Sequence, residues 1–139
     1  MKSPEILLIE DNRGDVLLLE EAFRDIGFDP QLAVAGNGAD AVDLLRRRTG
    51  PAPAGRLPDL IVLDLNLPRK GGKEVLAELK ADPALAAVPV LILTSSGADQ
   101  HVVGAYGLPE SAYLIKPAQF SGYLDVARQI AKLVSQEQR

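Results

Sequence analysis

Four places in the chain carry groups that could do chemistry together: Glu10-Asp11, Asp64, Thr94-Ser95 and Lys116. Each closes or follows a short aliphatic run, EILLI before Glu10, LIVL before Asp64, VLIL before Thr94 and YLI before Lys116. Three carboxylates within a few ångströms resist ionisation unless a cation joins them. Oxygen donors without His or Cys suit a hard ion, Mg2+ or Mn2+. Asp11 and Asp64 are then the expected direct ligands. Glu10 is expected to act through a bound water, and the backbone carbonyl of Asn66 completes the protein's share. A metal alone leaves Lys116 and Thr94 unexplained, whereas a phosphoryl group explains both. An acyl phosphate on Asp64 offers one oxygen to the metal, one to the Lys116 ammonium, and one to the Thr94 hydroxyl and nearby backbone N–H groups. Asp64 is a nucleophile on this reading.

Convergence requires a scaffold, and the pattern of the chain supplies one. The runs Glu5 to Ile9, Gln31 to Ala35, Asp59 to Leu63, Val88 to Thr94 and Ala112 to Ile115 read as strands. Between and after them lie five amphipathic stretches: Gly14 to Ile26, Asn37-Gly38 to Arg48, Gly72 to Ala81, a short Asp99 to Tyr106 and Phe120 to Val134. The expected inward residues are Leu18, Leu19, Ala22 and Ile26 on the first, Ala41, Val42 and Leu45 on the second, and Val75, Leu76 and Leu79 on the third. On the last they are Leu124, Ala127, Ile130 and Val134. Gly27 suits the position past a helix C-terminus, and Arg46, Arg47 and Arg48 read as a solvated helix end. Nearly all-apolar strands alternating with helices predict an α/β fold with a parallel sheet covered on both faces. A flavodoxin-like doubly wound sheet of five strands, order 2-1-3-4-5, with five helices follows. Its crevice lies beyond the carboxyl ends of the strands, where the four chemical groups fall. Pro117 allows a cis bond that would aim Lys116 inward.

Composition narrows the function further. The 139 residues suit one domain, and a net charge of -4 argues against nucleic-acid binding as the main role. No cysteine and a single histidine, His101, remove thiolate chemistry and leave no Ser-His-Asp triad without it; His101 reads as a solvent-facing helix residue. No apolar run reaches the roughly 18 residues of a membrane span. A soluble, cytoplasmic protein that binds no membrane is expected. The Pro/Gly-rich stretch Thr49 to Pro58 reads as an exposed loop.

Glu10-Asp11-Asn12, Asp64 within VLDLNLP, Thr94-Ser95 and Tyr113-Leu114-Ile115-Lys116-Pro117, in this order, resemble the receiver domain of two-component response regulators. The resemblance implies that Asp64 is the phosphoacceptor, that Glu10 and Asp11 are the acidic pair with Asp11 on Mg2+, and that Asn66 offers its carbonyl to that ion. It implies Thr94 as the switch hydroxyl, Tyr113 as the switch aromatic and Lys116 as the signature lysine. The phosphodonor would be a histidine kinase. Phosphorylation would draw Thr94 toward Asp64, turn Tyr113 inward and alter the face of helix four, strand five and helix five. Nothing recognisable follows the last helix, so one receiver domain over 1–139 without an output domain is expected. The lengthened spacing between Asp11 and Asp64, with IEDNRGDVLLLEEAF, is similar to stand-alone regulators associated with bacterial phytochrome kinases. Gly104 and Gly107 weaken the fourth helix, and Val102, Val103, Tyr106 and Leu108 are candidates for a homodimer face.

Three rivals remain beside this reading. A haloacid-dehalogenase-like aspartyl phosphohydrolase needs a general acid two residues after its nucleophile, where this chain has Asn66. A flavin binder needs a phosphate loop after the first strand, where EDNRGD is acidic. A receiver that has lost phosphorylation and serves as a scaffold would not need the full set of reactive residues.

Overall fold

The computed structural model describes residues 3–49 and 56–137, with side chains to Ser135. The strands are β1 (Glu5–Ile9), β2 (Gln31–Ala35), β3 (Leu60–Leu63), β4 (Val90–Thr94) and β5 (Tyr113–Ile115). The helices are α1 (Arg13–Asp25), α2 (Gly38–Arg47), α3 (Gly72–Ala81), α4 (Val102–Ala105) and α5 (Phe120–Glu137). All strand pairings are parallel, and the order is β2-β1-β3-β4-β5. This is the doubly wound architecture expected from the alternation of elements.

Side chains alternate across the sheet with a period of two. Leu7, Ile9, Ile61, Leu63 and Ile92 pack against α2, α3 and α4. Ile6, Leu8, Val62, Leu91 and Leu93 pack against α1 and α5. The central strands are buried on both faces, each full side chain worth about 1.5–3 kcal/mol of transfer free energy. That burial makes their carboxyl ends fixed points.

Local signals set the helix ends. Asn12 caps α1 by accepting the Asp15 amide, and Asn37 caps α2 by accepting the Asp40 amide. Gly27 has φ +73°, the left-handed turn that ends α1. Several expectations need correction. On α1, Val16, Leu19, Ala22 and Phe23 face inward, while Leu18 is 38% exposed. On α5, Tyr123 and Val126 join Ala127, Ile130 and Val134 in the core, and Leu124 is only half-buried. The fourth helix is a single turn, preceded by turns over 98–101, and His101 is exposed just before it. Val102 and Val103 are buried in the core, and Tyr106 and Leu108 are half-buried against it. Arg48 is not solvated: it donates to Glu5 at 2.9 Å and to the Arg56 carbonyl at 3.0 Å. A short 3-10 turn, Glu110–Ala112, leads into β5. The Pro/Gly-rich loop lies, over 50–55, outside the described residues.

Helix α2 sits hard against the loop between β3 and α3. A Cβ on Gly38 would overlap the Lys70 carbonyl oxygen and stand 2.7 Å from Val75 Cγ2. Backbone cannot yield as a side-chain tip can. Gly38→Ala is therefore expected to cost about 2 kcal/mol, read as a lower urea midpoint at unchanged slope. An unchanged midpoint would show that the two elements are not in contact as described.

Candidate functional site

Register assembles the site. Ile9 pairs with Leu63, and the next two residues, Glu10 and Asp64, continue side by side. The ladder runs past the strand ends: the amide of Asp64 donates to Ile9 (3.0 Å), that of Glu10 to Ala35 (2.9 Å), and that of Lys116 to Thr94 (2.7 Å). Glu10, Asp64 and Lys116 thus take their places from backbone pairing. Glu10 and Asp64 are each 4% exposed and Thr94 is 1% exposed, the buried polar residues among those described.

Asp64 is the hub. Its Oδ1 accepts the Thr94 hydroxyl at 3.1 Å and the Asn66 amide at 3.0 Å. Its Oδ2 accepts the Lys116 ammonium at 2.8 Å. The same ammonium reaches Glu10 Oε1 at 2.7 Å and Asp15 Oδ2 at 2.7 Å. Carboxylate oxygens of Glu10, Asp11 and Asp64 lie within 4.8 Å of one another. All the donors in that group are hard oxygens, so the residues fit Mg2+ or Mn2+. Asn66 is exposed in the loop over the site, and its amide is already committed to Asp64.

Electrostatics follow burial and contact. Burial pushes the Glu10 carboxyl up to about 7, against the opposing pull of Lys116 and the Asn12 amide. For Lys116, burial alone would lower the value. Its bonds to Asp15, Asp64 and Glu10 outweigh burial and hold it above the ordinary lysine range. Tyr123 is pushed up to about 12 by burial and by the negative charge of Asp15.

The structure brings Glu10, Asp11, Asp64, Thr94 and Lys116 together, and it places Asn66 beside Asp64 through its amide. Tyr113 already points inward, 6% exposed, with its hydroxyl donating to the Ser96 carbonyl at 2.6 Å. Thr94 already bonds Asp64. Both thus stand as was expected only after phosphorylation. No cis peptide occurs among the described residues, so Lys116–Pro117 is trans. The ladder bond to Thr94 and the carboxylates aim Lys116 without a cis turn. Two site residues escaped the sequence reading, Asp15 and Tyr123. Asp15 had a signal, since Asn12-x-x-Asp15 has the spacing of a capping box. Tyr123 lies in the buried stripe of α5, and a buried phenol needs a polar partner.

This fold and rim of groups define a phosphoacceptor-type receiver architecture, and comparison with known proteins agrees. Residues 6–128 match the response regulator receiver domain. The chain belongs to that family. It is 40% identical over 111 residues to response regulator Rcp1 of Synechocystis, covering 80% of this chain and 75% of Rcp1. The Mn(2+)-bound form of Rcp1 superposes with a TM-score of 0.77 over 93% of this chain and 92% of that one, at 35% identity. The phosphorylated cyanobacterial phytochrome response regulator RcpA gives 0.79 at 37% identity, over 94% and 93% of the two chains. The bacteriophytochrome response regulator AtBRR gives 0.73 at 34% identity, over 96% and 95%. The haloacid-dehalogenase alternative finds no support in these matches.

The raised Glu10 value has a consequence for stability. The folded metal-free protein keeps a proton there that the unfolded chain, at the ordinary value of 4.5, has already lost. Glu10's contribution is fully present below 4.5 and is lost as pH rises through about 7. Chemical denaturation of metal-free protein between pH 5 and 8 is expected to show this decline, and Glu10→Gln to flatten it. An identical slope in the variant would refute the assignment.

Proposed function

We propose that this response regulator takes a phosphoryl group on Asp64 from a histidine kinase and passes the signal by a change of binding surface. The observation that carries this is the double engagement of one buried carboxylate, with a cation on Oδ2 and a hydroxyl on Oδ1. In the transfer an Asp64 oxygen attacks phosphorus. The P–N bond of the donor phosphohistidine breaks, and the imidazole leaves with the electron pair. Lys116 and Thr94 stand ready to receive the phosphoryl oxygens, so little reorganisation is needed.

Glu10, Asp11, Asp64 and the Asn66 carbonyl would hold Mg2+. The ion would neutralise phosphoryl charge and draw the clustered carboxylates together. Rcp1 in its Mn(2+)-bound form supports a divalent cation here. The similarity to RcpA and AtBRR supports a phytochrome-type kinase as the donor. Residues 1–139 act as a single receiver domain, in the cytoplasm with that kinase. No helix among the described residues is long and apolar enough to cross a membrane. Phosphorylation holds the inward arrangement of Thr94 and Tyr113 and thereby sets the surface of α4, β5 and α5. Self-phosphorylation and self-dephosphorylation are the only catalytic activities this reading includes.

Incubation with acetyl phosphate and Mg2+ is expected to give one base-labile phosphoryl group per chain. Asp64→Asn abolishes it, and chelation of the metal stops its formation. Label retained in Asp64→Asn, or steady turnover of phosphoesters without an adduct, would remove Asp64 from this role.

A further inference from the structure

The carboxylate of Asp15 has no part in the reaction just described, yet it touches the ammonium as closely as Glu10 does, at 2.7 Å. An ammonium has three N–H donors. That of Lys116 donates to Asp15 and Asp64 and pairs with Glu10 at 2.7 Å, with the lysine side chain only 12% exposed. Two of those acceptors are engaged by the chemistry. Asp64 gives up its carboxylate when it becomes an acyl phosphate, and Glu10 belongs to the oxygen cluster with Asp11. Asp15 lies outside that cluster.

Asp15 is itself held firmly. It stands in the first turn of α1, where a negative charge is favourable, and its amide is capped by Asn12. Its second oxygen, Oδ1, lies 3.5 Å from the hydroxyl of Tyr123, which is 3% exposed on α5. In a capping box an acidic residue at this position turns back to the cap amide. Here the side chain turns to Lys116 and Tyr123 instead.

The geometry points to Asp15 as a positioning residue for phosphoryl transfer. It is the fixed partner about which the Lys116 ammonium turns from Asp64 to the new phosphoryl group, and it joins that ammonium to helix α5 through Tyr123. This rests on Asp64 being the acceptor. Asp15→Asn keeps the shape and removes the charge, and Asp15→Glu keeps the charge.

The test measures phosphorylation by acetyl phosphate at saturating Mg2+ alongside the 15N NMR signal of the Lys116 ammonium in metal-free protein. Asp15→Asn is expected to lower the rate by about tenfold while the Mg2+ half-saturation moves less than about threefold. The ammonium signal, visible in the parent because its protons exchange slowly, broadens in the variant. Asp15→Glu recovers most of the rate and keeps the signal. An unchanged rate, or a loss that added Mg2+ restores in full, overturns the proposal. Should Asp15→Asn not fold, the signal in Asp15→Glu decides, and its loss overturns it. Parent protein that takes no phosphoryl group at all sinks the acceptor reading itself. Parent protein that is labelled, with Asp15 variants equal to it, sinks only the role of Asp15.

Discussion

One ammonium offsets the negative charge that the fold gathers at the rim of its sheet. Lys116 contacts carboxylates from β1, β3 and α1, three parts of the chain brought together only by folding. Each of these charges would be costly alone in so dry a place. Together they are tolerated because every buried polar side-chain atom among the described residues has a partner. A buried ion pair seldom adds much stability, because desolvation consumes the Coulombic gain. Its value here is in fixing where a reactive carboxylate and a cation stand relative to each other. The rise of Glu10 to about 7 comes first from burial, to which the nearby charge of Asp64 adds.

The backbone places these groups, which is why side-chain flexibility costs so little. Ladder hydrogen bonds extend one residue past β1, β3 and β5, so Glu10, Asp64 and Lys116 are fixed almost as firmly as core residues. The loop that follows Asp64 is held with equal economy. A Cβ on Gly72 would overlap the Asp64 carbonyl, Gly38 abuts Lys70, and Lys70 pairs with Glu78 of α3. Arg69 alone among non-glycine residues described here has a left-handed backbone, φ 67°, and its side chain lies 3.5 Å from Asp40 of α2. Strain at one residue is accepted so that the chain can turn over the site.

Most of this architecture was legible from sequence, and what was not has a common cause. Strands buried on both faces read as uninterrupted aliphatic runs, so their number, order and chemical ends could be placed. Helix phase was harder. Leu17, Leu18 and Leu19 are chemically alike, and only the packing of Phe23 and Val16 shows that Leu19 is the one turned inward. Helix α4 is shorter than its pattern suggests because Asp99 to His101 form turns before it and Gly107, at φ 67°, follows its end. Arg48 looked like a charged helix end until Glu5, distant in sequence, supplied its partner. Asp15 and Tyr123 were missed for the same reason. Their roles depend on contacts across 101 and 108 positions of the chain, which no local pattern encodes.

The two oxygens of Asp64 divide the site between the faces of the sheet. Thr94 holds Oδ1, and it belongs to the alternation of Ile92, which packs with Tyr113 against the layer of α3 and α4. Lys116 holds Oδ2, and it follows Leu114, which packs with α1 and α5. A phosphoryl group on Asp64 would press on both partners at once, because its oxygens must be met by the hydroxyl on one side and the ammonium on the other. The strands between the layers are close-packed, and an interior of that density transmits strain. On the proposed phosphorylation, strain would reach α4 and β5 through Thr94 and Tyr113, and the packing of α1 with α5 through Lys116, Asp15 and Tyr123. A single covalent event at the rim of the sheet would in this way bias both layers that cover it.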